Sequence, residues 1–326
     1  MKPTVVSLFA GCGGSSLGYR MAGFEERLAV EWDADACNTF RNNFPGVPVH
    51  EGDIAELTAD KLLELARVKR GELTLLDGSP PCQGFSVAKG KRDTRDSRNS
   101  LFQEYVRVLN VLHPKVFVME NVAAMVYSSA REFFDAAMDE FAAAGYEVAV
   151  AILDAKAYGV PQTRNRVIFI GARNDLGLVP THPMPTVRRA VTVREAWKGL
   201  EQTEEERWAV PIRKSSLTMH YLTPQGGRVT KYHPRQAGYN GYRLHPNKPS
   251  ACITAMGGNY PTLYGLMHPT ERRRPSIPEL KRLASFPDDF EFPADPGAAW
   301  KQIGNCVPPL MVKAIADHIK RTLLKS

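Results

Sequence analysis

Cys82 is the side chain in this sequence best suited to covalent chemistry, because a thiolate is a strong nucleophile. It lies in the stretch Asp77–Ser86, DGSPPCQGFS, directly after the short apolar run Leu73–Leu76. That run predicts a buried strand, and the glycine and two prolines end the strand and stiffen the turn. Open α/β sheets bind ligands at the carboxyl ends of their strands. Since an isolated cysteine is more often merely buried, a catalytic interpretation needs supporting residues nearby.

An acid motif is predicted to lie beside Cys82. The apolar run Val116–Met119 reads as the next strand, and Glu120 follows it directly. Both residues would then stand at the same edge of the sheet. An acid next to a nucleophile at adjacent strand ends is an arrangement for catalysis and not only a charged turn.

A basic motif is predicted to complete this site. Gln162, Arg164 and Arg166 alternate as they enter the apolar strand Val167–Gly171. The period of two along a strand would point all three side chains to one face, toward the edge that holds the cysteine. Without that context, arginines at the start of a strand would more often form surface ion pairs.

Three successive strand ends predict a nucleoside pocket. The strand Thr4–Phe9 ends in the glycine turn Ala10–Gly14, and a helix follows. The second strand ends in Glu31 and Trp32, a carboxylate for ribose hydroxyls and a flat face for a purine. The third strand ends near Asp53, whose carboxylate can accept a hydrogen bond from an adenine amine.

The glycine turn does not follow the dinucleotide fingerprint GxGxxG, because Ser16 stands at the sixth position. We therefore do not predict a pyrophosphate site here. A glycine turn with other spacing still lets the backbone approach an uncharged or zwitterionic group.

Composition sets broad bounds on the protein. The 326 residues suffice for one large domain, or for a large domain and a smaller one, and the net charge of +7 permits a polyanionic partner. The five cysteines never stand as CxxC, which argues against a disulfide framework or a zinc site and favours a reducing cytosol. The sequence contains no run of eighteen apolar residues, so we predict no membrane span. The N-terminus lacks the layout of a signal peptide.

A second unit is predicted after Asn174, where the alternation of strands and helices stops and prolines mark a linker. Residues 207–248 interleave basic residues with tyrosines and glycines, as suits a loop-rich surface along a phosphate backbone. Residues 86–100 read as a mobile polar loop able to close over a substrate. The amphipathic helix Leu310–Leu324 should pack on the sheet of the first unit. The basic residues of the second unit are Arg207, Arg213, Lys214, Arg228, Lys231, Arg235, Arg243 and Lys248.

Taken in order, these motifs resemble those of the DNA cytosine-5 methyltransferase family, over nearly the whole chain. The motifs that carry the resemblance are Leu8–Gly14 with Ala22–Phe24, Glu31, Asp53, Pro80–Gln83, Glu120–Val122, Gln162-x-Arg164-x-Arg166, Arg282-Leu283 with Phe286-Pro287, and Gln302–Pro308.

The resemblance implies an α/β fold with a doubly wound, mostly parallel Rossmann-like methyltransferase sheet, helices on both of its faces, and a smaller irregular target-recognition domain. Residues 1–178 with 294–326 would form the catalytic and cofactor-binding domain. Residues 179–275 would recognise the target, and 276–293 would connect the two. Within the connecting segment Ala284 replaces the usual Gln, which we expect to affect packing. Ala251 and Cys252 also depart from the family's pattern and could alter DNA contacts.

The resemblance also implies S-adenosyl-L-methionine as cofactor and double-stranded DNA as partner, with no metal and no membrane. The protein would be a cytoplasmic monomer, with a cognate restriction endonuclease where it belongs to such a system. The residues implied to bind the cofactor are Phe9, Gly11, Gly13, Gly14, Glu31, Trp32, Asp53, Ile54, Pro81, Leu101, Asn305 and Val307.

The implied reaction transfers a methyl group to C5 of a cytosine flipped out of the duplex. Cys82 would attack C6, Glu120 would donate at N3, and Arg166 would hold the carbonyl edge of the base. Arg164 and Gln162 would support Arg166 or the nearby phosphate. Three alternatives remain open at this point: a tRNA cytosine-5 methyltransferase of the same superfamily, a nicotinamide-dependent oxidoreductase on a similar sheet, and a catalytically silent DNA-binding relative.

Overall fold

The computed structural model describes residues 2–81, 99–127, 131–212, 214–232, 241–258 and 265–324. Cys82, most of the predicted 86–100 loop and two of the basic residues, Arg213 and Arg235, lie outside these ranges.

Seven strands form the main sheet in the described part of the chain. They are β1 Thr4–Leu8, β2 Glu25–Glu31, β3 Val49–Glu51, β4 Leu75–Gly78, β5 Val116–Val122, β6 Tyr146–Asp154 and β7 Asn165–Arg173. Their order is β3-β2-β1-β4-β5-β7-β6, and β7 alone runs antiparallel to its two neighbours. The predicted mostly parallel, doubly wound sheet is therefore confirmed.

Helices cover both faces of the sheet. The first five are α1 Gly14–Met21, α2 Ala34–Asn43, α3 Ala59–Ala66, α4 Asn99–Leu112 and α5 Arg131–Ala143. Those that follow β7 are α6 Val193–Ala196, α7 Glu204–Trp208, α8 Lys214–Leu222, α9 Ile277–Leu283, α10 Pro296–Asn305 and α11 Pro309–Thr322. Parallel strands buried on both faces read as continuous apolar runs, which is why β4 and β5 are recognisable in the sequence.

The C-terminal helix packs where the sequence predicts. Met311, Ile315 and Ile319 of α11 share one apolar cluster with residues of the sheet such as Val5 and Ile168. On the same face α1 and α11 lie in direct contact. A Cβ at Gly18 would stand 2.6 Å from the carbonyl oxygen of Pro309, so no larger residue fits there without a shift. The two helices therefore fix the glycine turn before α1 against the C-terminal segment.

The region 179–275 is irregular and shares its core with the sheet domain. Its two short strands, β8 Gly241–Arg243 and β9 Gly265–Met267, pair in parallel. Val193, Leu244 and Ile253 belong to one buried cluster with Leu17 of α1 and Phe40 of α2. Ala284, which departs from the family's pattern, is buried in the same cluster, in line with a role in packing. This buried cluster contains residues from both sides of the predicted domain boundaries, and the boundaries stay a prediction.

Two carboxyl groups are buried beneath α1. Asp77 of β4 accepts a hydrogen bond of 2.9 Å from the hydroxyl of Tyr19. The carboxylate oxygens of Glu26 on β2 are also buried, close to the hydroxyls of Ser7 and Ser16. Burial, which disfavours the charged form, raises the pKa of Glu26 to about 8 and that of Asp77 to about 7. Glu26 is therefore mostly protonated at neutral pH, whereas Asp77 is protonated only in part.

Glu26 should make the protein less stable as pH rises. The folded state keeps a proton that the unfolded chain releases near pH 4.5, so this stabilisation is complete below that pH and lost near pH 8. The free energy of unfolding should fall by up to roughly 1.4 kcal/mol per pH unit within this window because of this group. Urea unfolding of Glu26→Gln between pH 5 and 8.5 should show a shallower slope. The exposed neighbour Glu25 gives the control, Glu25→Gln, which should keep the parental slope; equal slopes in all three proteins would contradict the assignment.

Candidate active site

Glu120 and Arg166 form a buried ion pair at one edge of the sheet. Glu120 lies near the end of β5 and Arg166 near the start of β7, and antiparallel pairing places Val122 opposite Arg166. The Nε of Arg166 lies 2.6 Å from Oε1 of Glu120, and the two side chains are only 15% and 10% exposed. Burial lowers the pKa of Arg166, whereas the facing carboxylate raises it. The pair offers an acid and a cation at fixed separation in a site of low exposure.

Asn121 joins this pair to Pro80, in the segment that precedes Cys82 in the sequence. Its Nδ2 donates a buried hydrogen bond of 2.9 Å to the carbonyl of Pro80, two residues before the cysteine. Its Oδ1 accepts from the backbone N–H of Val122. The side chain amide thus holds the end of β4 against the end of β5. Sequence reasoning gave Asn121 no role; an amide directly after an acid at a strand end is the signal that could have identified it.

Gln162 and Arg164 lie before β7, which begins at Asn165, and their side chains bond to backbone atoms of other segments. Gln162 is hydrogen-bonded to backbone atoms of Ile253 and Leu283. The guanidinium of Arg164 is 3% exposed and donates to backbone carbonyls. Their predicted contact with the base or its phosphate would require these bonds to break.

The glycine turn after β1 lies against the acid at the end of β2. Gly11 has φ of +55°, in the region that favours glycine, and a Cβ there would meet open space. Its N–H donates to Oε2 of Glu31 at 2.8 Å, and the other carboxylate oxygen accepts from the N–H groups of Trp32 and Asp33. Gly14 approaches the carbonyl of Val307 so closely that a Cβ would lie 2.6 Å from it. The turn is therefore rigid, and open on the side of Gly11.

The other predicted cofactor residues differ in exposure. The ring of Trp32 is 81% exposed, while Ile54 is buried. Asp53 accepts from the N–H of Ala55 and so begins a short 3₁₀ turn. Phe9 and Leu101 are half-buried against one apolar cluster. Val307 is buried, Pro81 and Asn305 are exposed, and Gly13, with its φ of +94°, is the N-cap of α1. An acid and an exposed indole face next to a glycine turn suit a nucleoside joined to a zwitterion.

The basic residues of the second unit divide into two groups. Arg207 pairs with Glu271 at 2.6 Å, and Arg243 donates to carbonyls of Pro269 and His220. These two arginines therefore have partners within the protein, and the prediction that the whole set follows a phosphate backbone stays a prediction. The exposed members among the described residues are Arg228, Lys231 and Lys248.

The described ranges contain neither a metal-binding cluster nor a membrane-spanning helix. No group of three or more His, Cys, Asp or Glu side chains there could hold a metal ion. None of the helices that the structure describes has both the length and the apolar character needed to cross a membrane.

Comparison with known proteins assigns the family. The sequence profile of the C-5 cytosine-specific DNA methylases matches residues 3–321. The chain is 34% identical to the Type II methyltransferase M1.HphI of Haemophilus parahaemolyticus over 98% of its own length and 87% of the relative's. It is 32% identical to M.NgoPII of Neisseria gonorrhoeae over 98% and 96% of the two chains.

A solved structure supports the fold. A putative DNA modification methyltransferase encoded within an E. coli prophage superimposes with a TM-score of 0.82 at 24% identity, covering 99% of this chain and 100% of that one. The predicted family is thus confirmed: this chain belongs to the C-5 cytosine-specific DNA methylases and is a DNA cytosine-5-methyltransferase.

Proposed function

We propose that this enzyme methylates C5 of a cytosine at a specific site in duplex DNA, through a covalent bond between Cys82 and C6 of the base. The observation that carries the proposal is the buried Glu120–Arg166 pair, which Asn121 ties to the turn leading into Cys82. An acid and a cation beside a strand-end cysteine are the groups that nucleophilic activation of a pyrimidine ring requires.

Each group has a defined task in this mechanism. The thiolate of Cys82 adds to C6, and the electron pair of the C5–C6 double bond moves into the ring toward N3 and the carbonyl. Glu120, in its protonated form, donates to N3 and so limits the negative charge that would build up there. Arg166 holds Glu120 in place and faces the carbonyl edge of the base. The electron pair then returns from N3 to C5 as C5 gains its methyl group. A base removes the C5 proton, the C6–S bond breaks to regenerate the thiolate of Cys82, and N3 returns its proton to Glu120.

The residues around the glycine turn fit S-adenosylmethionine, which supplies an electrophilic methyl group when bound. Glu31 and Asp53 would accept hydrogen bonds from the ribose and the adenine amine, and the exposed face of Trp32 would cover the purine. The open backbone at Gly11 and the uncapped N-terminus of α1 would face the carboxylate of the methionine part. Phe9, Gly13, Gly14, Ile54, Pro81, Leu101, Asn305 and Val307 would form the remaining walls.

The target cytosine must leave the stacked duplex to reach Cys82, at a cost of a few kcal/mol. In our proposal the duplex lies between the sheet domain and region 179–275, where Arg228, Lys231 and Lys248 contact phosphates. Since relatives are named Type II methyltransferases, we infer a cytoplasmic monomer that protects sites from a cognate restriction endonuclease. No described contact favours a tRNA substrate or a nicotinamide cofactor over this interpretation.

Replacement of the nucleophile tests the covalent mechanism. DNA from a bacterial host that expresses the wild-type gene should carry 5-methylcytosine at one short sequence, as read by bisulfite sequencing. A duplex with 5-fluorocytosine at that site should form a stable adduct with the wild-type enzyme. Cys82→Ala should abolish both signals, because no sulfur remains to attack C6.

The matched control is Cys37→Ala, which removes a buried thiol of α2. This variant should still form the adduct. Methylation at the wild-type rate by Cys82→Ala would end the covalent mechanism, whereas unmethylated DNA with wild-type enzyme would end the proposed function itself.

Replacement of Glu120 tests the role of the acid. Glu120→Gln should lower kcat by about 10²–10⁴-fold, the usual effect of removing a general acid, with little change in cofactor affinity. Single-turnover methylation and calorimetric titration with S-adenosylhomocysteine give the two quantities. Asp175→Asn, which breaks the Arg173–Asp175 ion pair beyond the other end of β7, is the control and should be active. A large loss of cofactor affinity at an unchanged rate would assign Glu120 to the cofactor pocket instead.

A further inference from the structure

The buried side chain of Arg164 links three segments of the chain through hydrogen bonds. Its Nη1 donates to the carbonyl of Ile253 at 3.0 Å and lies 3.5 Å from Sγ of Cys252. Its Nη2 donates to the carbonyl of Gly304 at 3.0 Å and to that of Asn305 at 3.5 Å. One guanidinium therefore joins the start of β7 to the segment after residue 250 and to the end of α10.

Gln162 adds a second set of bonds to the same junction. Its Oε1 accepts from the N–H of Ile253 at 3.1 Å, and its Nε2 donates to the carbonyl of Leu283 at 3.3 Å. The backbone takes part as well, since the N–H of Thr163 donates to Ser250 and the N–H of Ser250 donates to Pro161. Residues 161–164 thus hold residues 250–253 through both backbone and side chains.

The segment that follows is pressed against α10. The indole N–H of Trp300 donates to the carbonyl of Thr254 at 3.0 Å. A Cβ at Gly304 would collide with the backbone of Thr254 and Ala255, and one at Gly257 would collide with the ring of Trp300. Residues 250–258, which we call the recognition strap, therefore have one closely defined position on the catalytic domain.

The chemistry of these contacts requires arginine. The acceptors of Arg164 are neutral carbonyls and a sulfur, and no described carboxylate lies within ion-pair distance of it. A buried cation without a counter-ion is costly unless its donors are satisfied. Nη1 and Nη2 of Arg164 have acceptors, whereas its Nε has none among the described residues. The planar fork of a guanidinium reaches acceptors on two sides at once, whereas the single ammonium of a lysine cannot.

We propose that Arg164 and Gln162 are positioning residues that fix the recognition strap relative to the Glu120–Arg166 pair. Arg166 follows Arg164 by only two residues. A shift of the strap that moves Arg164 would therefore also move Arg166, which is proposed to hold the base. A misplacement of about 1 Å can cost about a hundredfold in rate. The inference rests on the proposed function, because it concerns the geometry in which the flipped cytosine meets Cys82.

The test compares Arg164, one residue before β7, with Arg173 at the end of that strand. Arg164→Lys keeps the charge but loses the fork, and Arg164→Met loses both. The control is Arg173→Lys at the other end of β7, where the guanidinium also donates to a carbonyl, that of His113 at 2.7 Å. For each variant we would measure the thermal midpoint, the affinity for S-adenosylhomocysteine, and the rate of adduct formation with a 5-fluorocytosine duplex, at a temperature where all are folded.

Both Arg164 variants should form the adduct about tenfold to a hundredfold more slowly than wild type, with cofactor affinity changed less than threefold. Arg173→Lys should lower the thermal midpoint while the adduct rate stays near wild type. Three results would overturn the proposal. The first is a wild-type rate of adduct formation in Arg164→Lys, since charge would then be the only contribution of the residue. The other two are an equal loss of adduct rate in Arg173→Lys, and a loss of S-adenosylhomocysteine affinity as large as the loss of rate in the Arg164 variants.

A second variant displaces the strap while the Arg164 side chain stays in place, although it alters the residue whose carbonyl accepts from Nη2. Gly304→Ala should push residues 254–255 away from α10 and slow adduct formation in the same way. The Arg164 variants are replaced by Gly304→Ala if they do not fold. The inference is contradicted if the Gly304→Ala enzyme is folded, binds S-adenosylhomocysteine normally and forms the adduct at the wild-type rate. A wild-type enzyme without any methylation activity would instead remove the proposed function on which it rests.

Discussion

The antiparallel pairing of β7 with β5 is the constraint on which the site depends. In a purely parallel sheet the start of the last strand would lie at the edge opposite to the carboxyl ends of the others. Because β7 is reversed, its first residues meet the last residues of β5, and Arg166 comes within 2.6 Å of Glu120. The same reversal brings residues 161–164 next to the recognition strap, so one topological feature serves both the chemistry and the attachment of the second unit.

Most of the sheet could be predicted, because parallel strands buried on both faces leave uninterrupted apolar runs such as Val116–Met119. The ends of strands were less certain. Strand periodicity predicts that Gln162 and Arg164 share the face of Arg166, but the strand itself begins only at Asn165. Hydrogen bonds to backbone atoms more than eighty residues away decide where these two side chains point, and no local pattern records such partners.

The sequence also predicts only in part which charged side chains are exposed and which have partners within the protein. Arg207 and Arg243 stand among exposed basic residues in the sequence, yet one is paired with Glu271 and the other caps carbonyls. What separates them from Arg228 and Lys231 is the presence of an acceptor contributed by residues 268–271, which lie far along the chain. Conversely, the sequence predicts that Glu120 and Arg166 meet at one edge of the sheet, and the two side chains are paired there.

The shared apolar cluster between region 179–275 and the first two helices bears on how such enzymes diversify. Val193, Leu244 and Ile253 belong to the same core as Leu17 and Phe40, which lie next to the glycine turn. A segment transplanted from a relative in place of residues 179–275 would therefore have to bring matching core side chains as well as its exposed loops. Sequence change in this region should thus be freest in the exposed loops, while its inner face changes only together with α1 and α2.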